Sequence, residues 1–403
     1  MRKTQLLIAL AAIGFASSAT ATNGYFAHGF GIKSKGMGGV GIAYSQDALA
    51  AATNPSGMVL VGSRVDFGAE LFNPNREANV NGATTYKSGS DLFLVPEFGY
   101  NRMIKPNMSV GVSVYGNGGM NSHYNPITQF SNGPKTGVDL MQLFIAPTLA
   151  MKINENHAVG ASLNLAYQRF KASGIGNFAG MSSSAANLSD NGHDDSTGLG
   201  VRIGWTGTLS PMVTMGATYQ SKTMMSEFDK YRGLFAEQGD FDIPENYGLG
   251  IAVKATPKTT VALDVVRIKY GDVKSIANPI SLLAAGTLGN DNGAGFGWKN
   301  QTVVKLGVSH QVSDKLTVRA GYNHGSAVIP TTEVAFNILA PATVKDHLTL
   351  GATWTLRNGA ELSGYYMRAF SESITGATPQ LGGGNSTIKM DQNALGIAYG
   401  WKM

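Results

Sequence analysis

Hydrophobic and polar residues alternate with period two along most of the chain, most cleanly in its last segment. From Ala394 to Met403, Leu395, Ile397, Tyr399, Trp401 and Met403 share one face, while Gly396, Ala398, Gly400 and Lys402 share the other. Successive side chains of a strand point to opposite sides of its sheet, so this pattern predicts a strand with one apolar face and one small or polar face. The same alternation runs through Met141, Leu143, Ile145, Pro147, Leu149 and Met151, through Leu199, Val201, Ile203 and Trp205, and through Leu348, Leu350, Ala352, Trp354 and Leu356. Pro147 has no N–H to give a ladder and predicts a bulge.

Fourteen such segments are predicted, near 62–72, 92–104, 108–119, 139–153, 157–171, 197–209, 212–222, 245–255, 259–271, 299–312, 315–325, 346–356, 360–370 and 390–403. Each is long enough to cross a bilayer when tilted, which takes about 9 to 11 residues. The connections supply an independent check. Those at 105–107, 154–156, 210–211, 256–258, 313–314 and 357–359 are tight turns built on Pro, Asn, Asp, Ser or Gly, and the other seven are much longer. Outer-membrane barrels have short periplasmic turns and long extracellular loops, so this alternation puts both ends of the strand series on the periplasmic side. The predicted fold is all-β: a 14-stranded antiparallel transmembrane β-barrel.

One stretch breaks the pattern. Between Asn23 and Met58 glycine recurs too often for a ladder, and 45–52 reads as a short N-capped helix stopped at Asn54-Pro55. A compact segment of this size, placed ahead of the strands, has the makings of a plug. Before it, Arg2 and Lys3, an apolar core from Leu6 to Phe15 and Ala19-Thr20-Ala21 form a secretory signal with cleavage before Thr22. The expected organisation is 1–21 signal peptide, 22–60 N-terminal hatch with short helices, and 61–403 barrel.

Composition narrows the class. Only 14% of residues are charged, against roughly 25% in soluble domains, and the mean hydropathy is −0.04, as expected where lipid-facing and lumen-facing positions average out. After the signal no run of 18 apolar residues supports a transmembrane helix. Cysteine is absent, which excludes disulfides, thiolate catalysis and thiolate metal sites. The net charge is +5, or +3 without Arg2 and Lys3, and no basic cluster stands out. With export, that argues against a nucleic-acid partner and leaves a weak preference for anionic lipopolysaccharide or acidic ligands.

Signs of catalysis are thin. Gly36-Met37-Gly38-Gly39-Val40-Gly41 matches a dinucleotide fingerprint, but it lacks the strand before it and the βαβ context that fingerprint needs. His193-Asp194-Asp195 offers donors for a divalent cation, weighed against an ordinary polar loop. No nucleophile with its base can be named, so no enzyme, cofactor or metal site is expected.

Several short stretches can be matched to a family. They are Thr22-Asn23-Gly24-Tyr25-Phe26, His28-Gly29, Lys33-Ser34-Lys35-Gly36-Met37, Gln46-Asp47-Ala48 and Asn54-Pro55-Ser56-Gly57-Met58. Near the C-terminus, Phe336-Asn337-Ile338-Leu339-Ala340-Pro341-Ala342 and Asp346-His347-Leu348-Thr349-Leu350-Gly351 join them. With the strand count, they make the chain resemble the FadL/TodX family of outer-membrane transporters for hydrophobic compounds. Ser56 departs from the alanine usual there. The resemblance implies a hatch plugging the barrel, passive uptake of a hydrophobic small molecule and a monomer in the outer membrane of a Gram-negative bacterium. It makes long-chain fatty acid the default ligand, with alkanes and monoaromatics as alternatives. It further implies ligand release by a hatch rearrangement near Asn54, Pro55 and Ser56. An inward kink of the third strand, opening a lateral gap to the membrane, would fall at Gly116, Asn117, Gly118 and Gly119. Those two stretches also read as a plain helix stop and as the start of an outer loop.

Parity adds candidates of its own. Arg202, Lys305 and Arg319 each sit between apolar neighbours, so all three should point into the lumen, where a fatty carboxylate needs a cation and a hydrocarbon does not. Arg169 should face outward near the extracellular rim, where outer-membrane lipid and lipopolysaccharide are the partners. In the long loops, Ile280, Leu282, Leu283, Phe336, Ile338 and Leu339 are costly to leave in water, and serve either as a landing surface for ligand or to pack loop on loop. The rival readings are a surface barrel acting as adhesin or phage receptor, an open porin, and a barrel lipase.

Overall fold

The structure is a computed structural model and describes residues 22–131 and 133–403; the expected signal peptide lies outside the described residues. Fourteen antiparallel strands follow one another around a barrel. They are β1 Arg64–Val80, β2 Phe93–Lys105, β3 Met108–Asn121, β4 Gly137–Lys152, β5 His157–Ser173, β6 Asp194–Ser210 and β7 Val213–Gln220, then β8 Asn246–Thr256, β9 Thr259–Ile268, β10 Gln301–Gln311, β11 Leu316–Gly325, β12 Asp346–Thr355, β13 Glu361–Ala377 and β14 Asn385–Lys402. β14 returns to β1 in unbroken register from Arg64↔Lys402 to Asn79↔Thr387, which closes the sheet. Two short strands, Thr84–Lys87 beside β1 and Met224–Met225 beside β6, lie in the extracellular connections.

The alternation has its expected consequence. Leu395 and Ile397 are 59% and 58% exposed, whereas Ala394 between the same strands is 2% exposed. The exposed set is the lipid face. Aromatics gather at its two borders: Phe67, Tyr399 and Trp401 pack together at the periplasmic one, while the Tyr219 and Tyr322 hydroxyls reach Glu245 and Asp346 at the other. Such girdles suit amphipathic rings at a membrane–water interface.

Three details differ from expectation. β1, β13 and β14 run several residues further outward than their hydrophobic pattern, because beyond the membrane both faces can be polar while the ladder continues, as at Thr375 and Thr387, 2.8 Å apart. Pro147 leaves a gap in the β4–β5 ladder but no bulge, since Ile145↔Leu165 and Thr148↔Ser162 share one register. The helix expected at 45–52 is a single 3-10 turn, Ala50–Ala52. There the Ala48 N–H donates to Asp66 (2.9 Å) and its carbonyl accepts from Ser113 (2.8 Å), so the wall takes the backbone groups a helix would have used.

The extracellular loops fold over the barrel into one apolar cluster. Ile280, Leu283, Phe336, Ile338 and Leu339 are each at most 8% exposed within it, and Leu282 packs against it half-buried. These residues therefore pack loop on loop and present no open landing surface.

Candidate functional site

Residues 22–63 precede β1 and lie inside the barrel. Inward-facing glycines let this segment touch the wall nearly all round. A Cβ at Gly99, Gly160, Gly204, Gly216, Gly307 or Gly321 would overlap Ala48, Pro55, Asn54, Ile42, Met37 or Gly38, respectively. Strands otherwise disfavour glycine, and close backbone approach is what it serves here.

Wall carboxylates then hold the hatch backbone. Glu97 accepts from the N–H groups of Gly31 (3.2 Å) and Ile32 (2.9 Å), at the start of the one-turn helix Ile32–Lys35. Asp264 accepts from Gly41 (2.8 Å) and Ile42 (3.0 Å). At the periplasmic end every hatch cation is paired: Lys33 with Glu361 (2.5 Å), and Lys35 with Glu70 (2.5 Å) and Glu97 (3.6 Å). Arg64 joins Glu361 to Asp66. Burial works against the Lys35 ammonium, but Glu70 and Glu97 outweigh it and hold its pKa above the ordinary value. Burial, with Asp66 beside it, pushes the Asp47 carboxyl up to about 7. Burial and the Lys35 charge hold His28 well below the usual imidazole range, so it stacks on His347 as a neutral ring.

The Asn54-Pro55-Ser56 turn is also fastened to the wall. Asn54 Nδ2 donates to the carbonyls of Ile42 (2.7 Å) and Trp205 (3.0 Å), its Oδ1 accepts from Ser56 Oγ (2.7 Å), and Ser56 Oγ lies 2.7 Å from Thr206 Oγ1. The serine that departs from the family's alanine thus adds a bond between hatch and β6.

Arg202, Lys305 and Arg319 point inward, but not to one place. Arg319 donates from Nε to Gln46 Oε1 and from Nη1 to Thr353 Oγ1, both at 2.7 Å, and fastens the hatch beside Asp47. Arg319 does not line the cavity that Arg202 and Lys305 share. Arg202 and Lys305 border a lumen cavity of about 50 Å³ together with Phe26, Phe30, Ile42, Val266, Val303 and Asn117. Lys305 Nζ donates to the Gly39 carbonyl (3.2 Å), and Arg202 Nη1 to that of Thr53 (3.0 Å). Among the described residues neither forms a salt bridge. Arg202 Nε and Asn246 Nδ2 are buried donors without an acceptor. Such groups are expensive unless something anionic or hydrogen-bonding meets them.

The third strand leaves its neighbour beside this cavity. β2 and β3 pair from Lys105↔Met108 only as far as Phe98↔Val114. Beyond that, Phe93–Glu97 pairs with β1, and Tyr115–Asn121 pairs with β4 across a bulge at Gly116/Gly118. The hatch takes the vacated edge: Ala27 N–H donates to Asn117 O and Gly119 N–H to Tyr25 O, both at 3.0 Å. Higher up, Gly89 N–H donates to His123 O (2.8 Å). The β2–β3 ladder is therefore interrupted over this stretch, with pairing below it and the Gly89–His123 bond above it, and we call the interruption the window. Phe30 lies 4.7 Å from Tyr115 at its inner side and lines the cavity as well.

Sequence reasoning missed several members of this site. Tyr25 sits among Phe241, Tyr270 and Trp298, with ring centroids 5.2 to 6.1 Å away, and with Phe26 separates the loop cluster from the cavity. Phe336 and Leu339 border a second, smaller apolar cavity of about 30 Å³ on the loop side of that aromatic layer. The parity argument that found Lys305 would also have found Glu70, Glu97 and Asp264. His193, Asp194 and Asp195 diverge to Asp139, Lys230 and Tyr167 and form no common site.

Residues 18–402 match the family model described as outer membrane protein transport protein (OMPP1/FadL/TodX). No curated protein matches the chain significantly. The solved toluene transporter TodX of Pseudomonas putida is similar, with a TM-score of 0.70 and 17% identity over 95% of this chain and 100% of that one. A FadL homologue of Pseudomonas aeruginosa gives 0.71 and 16% over 96% and 99%. The toluene transporter TbuX of Ralstonia pickettii gives 0.66 and 18% over 93% and 99%. At these identities the likeness is one of fold.

Proposed function

The chain belongs to the outer membrane protein transport protein family (OMPP1/FadL/TodX), and from that premise we propose that it takes up long-chain fatty acids by passive transport. The observation that carries this reading is the pairing state of the lumen cations. Arg202 and Lys305 border an apolar cavity with no carboxylate in salt-bridge contact, and Arg202 keeps a free Nε. Lys305 stands opposite Asp264 in the strand register, but Arg202 is a buried cation with no carboxylate beside it, which is costly; a fatty carboxylate would supply that charge while its chain fills the apolar side.

A cavity of about 50 Å³ has room for a few waters and not for an acyl chain, so loading requires Phe26 and Phe30 to move. Phe26 of the hatch forms an isolated antiparallel bridge to Gly118. Its displacement therefore loosens the hatch–β3 contact at the window, which supports lateral release into the membrane. The route would run from the apolar loop cavity past Tyr25 and Phe26 to the lumen cavity, then out between β2 and β3. The hatch would act as plug and gate, and the ligand's own gradient would drive it.

A second reading, uptake of monoaromatic hydrocarbons, is favoured by the aromatic layer of Tyr25, Phe241, Tyr270 and Trp298. Radiolabelled oleate and toluene, offered to cells that lack their own transporter of this family and express this chain, separate the two. Oleate entry that falls when Arg202 is replaced by Leu supports the fatty-acid reading. Toluene entry alone, unchanged by that substitution, would overturn it. Entry of neither would move the adhesin or phage-receptor reading ahead.

A further inference from the structure

A polar pocket of about 260 Å³ lies above the window, outside the transport route. Ser90 enters it from the segment before β2, Asn121 and His123 from the end of β3, Lys135 and Asp139 from the start of β4, and Lys171 from the end of β5. The Gly89–His123 bond, with the His123 N–H donating to Ser88 Oγ at 3.0 Å, makes this pocket the upper rim of the window.

The strand register fixes the side on which it opens. Asn121 is paired with Asp139, and Asp139 with Lys171, so the three share a face. On β4 and β5 that face is the one carrying Ile145, Leu149, Leu163 and Leu165, all at least 39% exposed. It is the outer, lipid-side face at its extracellular end. The single pocket acid is committed, because Asp139 accepts from Asn121 Nδ2 and faces His193 Nε2, both at 3.0 Å. Lys135 and Lys171 have no ion pair or hydrogen bond from their ammonium groups among the described residues. Burial, reinforced by those two ammonium groups, holds the His123 imidazole below its ordinary value, as expected where positive charges converge.

We propose that this pocket binds a phosphate group, presented by a phosphorylated glycolipid of the outer leaflet at the edge of the lateral window. Two unpaired lysines supply point charges for a phosphate, and the hydroxyls of Ser90 and Ser173 supply neutral donors around them. The pocket sits where the lipid-facing wall gives way to the head-group layer, so a lipid phosphate reaches it with its acyl chains against the same wall. A free phosphate ion offers the same oxyanion chemistry, and the test separates the two sources.

The test uses the full barrel with its hatch in nanodiscs made with bisphosphorylated lipid A or its dephosphorylated form, and counts retained lipid by native mass spectrometry. The bisphosphorylated form should be retained in about tenfold excess, and Lys135→Gln with Lys171→Gln should abolish the preference. Lys171→Gln alone should give an intermediate loss, and heat-modifiable gel mobility checks that each variant is folded. Equal retention of the two lipids, or a preference that survives in the folded double variant, overturns the proposal. Binding of inorganic phosphate that disappears in the double variant, with lipid retention at background, would overturn the lipid assignment and give the pocket to a soluble ion. Oleate uptake through the lumen does not enter either readout.

Discussion

On the periplasmic side of the lumen, Lys33, Lys35 and Arg64 each meet one or two carboxylates, and two of these, Glu97 and Asp66, also accept from the hatch backbone. Beside the lumen cavity, Arg202 meets a backbone carbonyl and amide side chains with no carboxylate, and Lys305 meets the Gly39 carbonyl and stands opposite Asp264, which is itself bonded to hatch N–H groups. Both sets are buried cations in one barrel. Burying a charge costs free energy in either place, and the first set recovers it inside the protein. In the second set Arg202 has no carboxylate with which to recover it. That difference divides the lumen into a fastening region, complete in itself, and a binding region that an anionic ligand would complete.

The largest test of this division is to break the fastening. Lys35→Met leaves Glu70 and Glu97 buried without their cation, a loss of about 3 to 5 kcal/mol. The hatch should loosen, and planar bilayers should record frequent open-pore events where the native barrel stays closed. Replacing Glu70 and Glu97 by Gln as well should restore closure; a native-like record from Lys35→Met alone would show that the charges are not what holds the plug.

Removing the binding-region cation should do the opposite. Arg202→Leu should lower oleate uptake by about tenfold, the weight of one charge-assisted contact. The thermal midpoint should fall less than in Lys35→Met, since neutral acceptors and no carboxylate are left unpaired. A fall in stability matching that of Lys35→Met would erase the distinction between the regions.

Gly116→Leu asks whether the window serves the cavity. A Cβ there stands 3.1 Å from Val95 Cγ1, so a leucine would fill the space between β2 and β3. Oleate entry should drop several-fold with the barrel's heat-modifiable mobility unchanged; normal entry would put the exit elsewhere. The smallest effect belongs to Ser56→Ala, which removes the bond to Thr206 and costs about 1 kcal/mol. Amide exchange should speed up in residues 54–61 and stay unaltered in the strands.

Much of the fold could be read because lipid imposes a strict rule on alternate positions, as Leu395 and Ile397 show. The rule ends where the membrane ends. The outer halves of β1, β13 and β14 were invisible to it because their ladders continue where both faces are polar. The 3-10 turn at Ala50–Ala52 escaped for another reason: Asp66 and Ser113 claim the backbone of Ala48 from distant strands, and no local pattern records that. Parity alone brought out Arg202, Lys305 and Arg319. It could not separate Arg319 from the others, because that depends on Gln46 of the hatch arriving opposite Arg319 while an apolar cavity opens beside Arg202.

Titrating the purified barrel with oleate and with oleyl alcohol, its uncharged counterpart, compares the two regions most directly. Oleate should bind native protein about tenfold more tightly than the alcohol, and Arg202→Leu should bring the two affinities together while leaving the alcohol's unchanged. Equal affinities in the native protein, or a preference for oleate that survives in Arg202→Leu, would contradict the account.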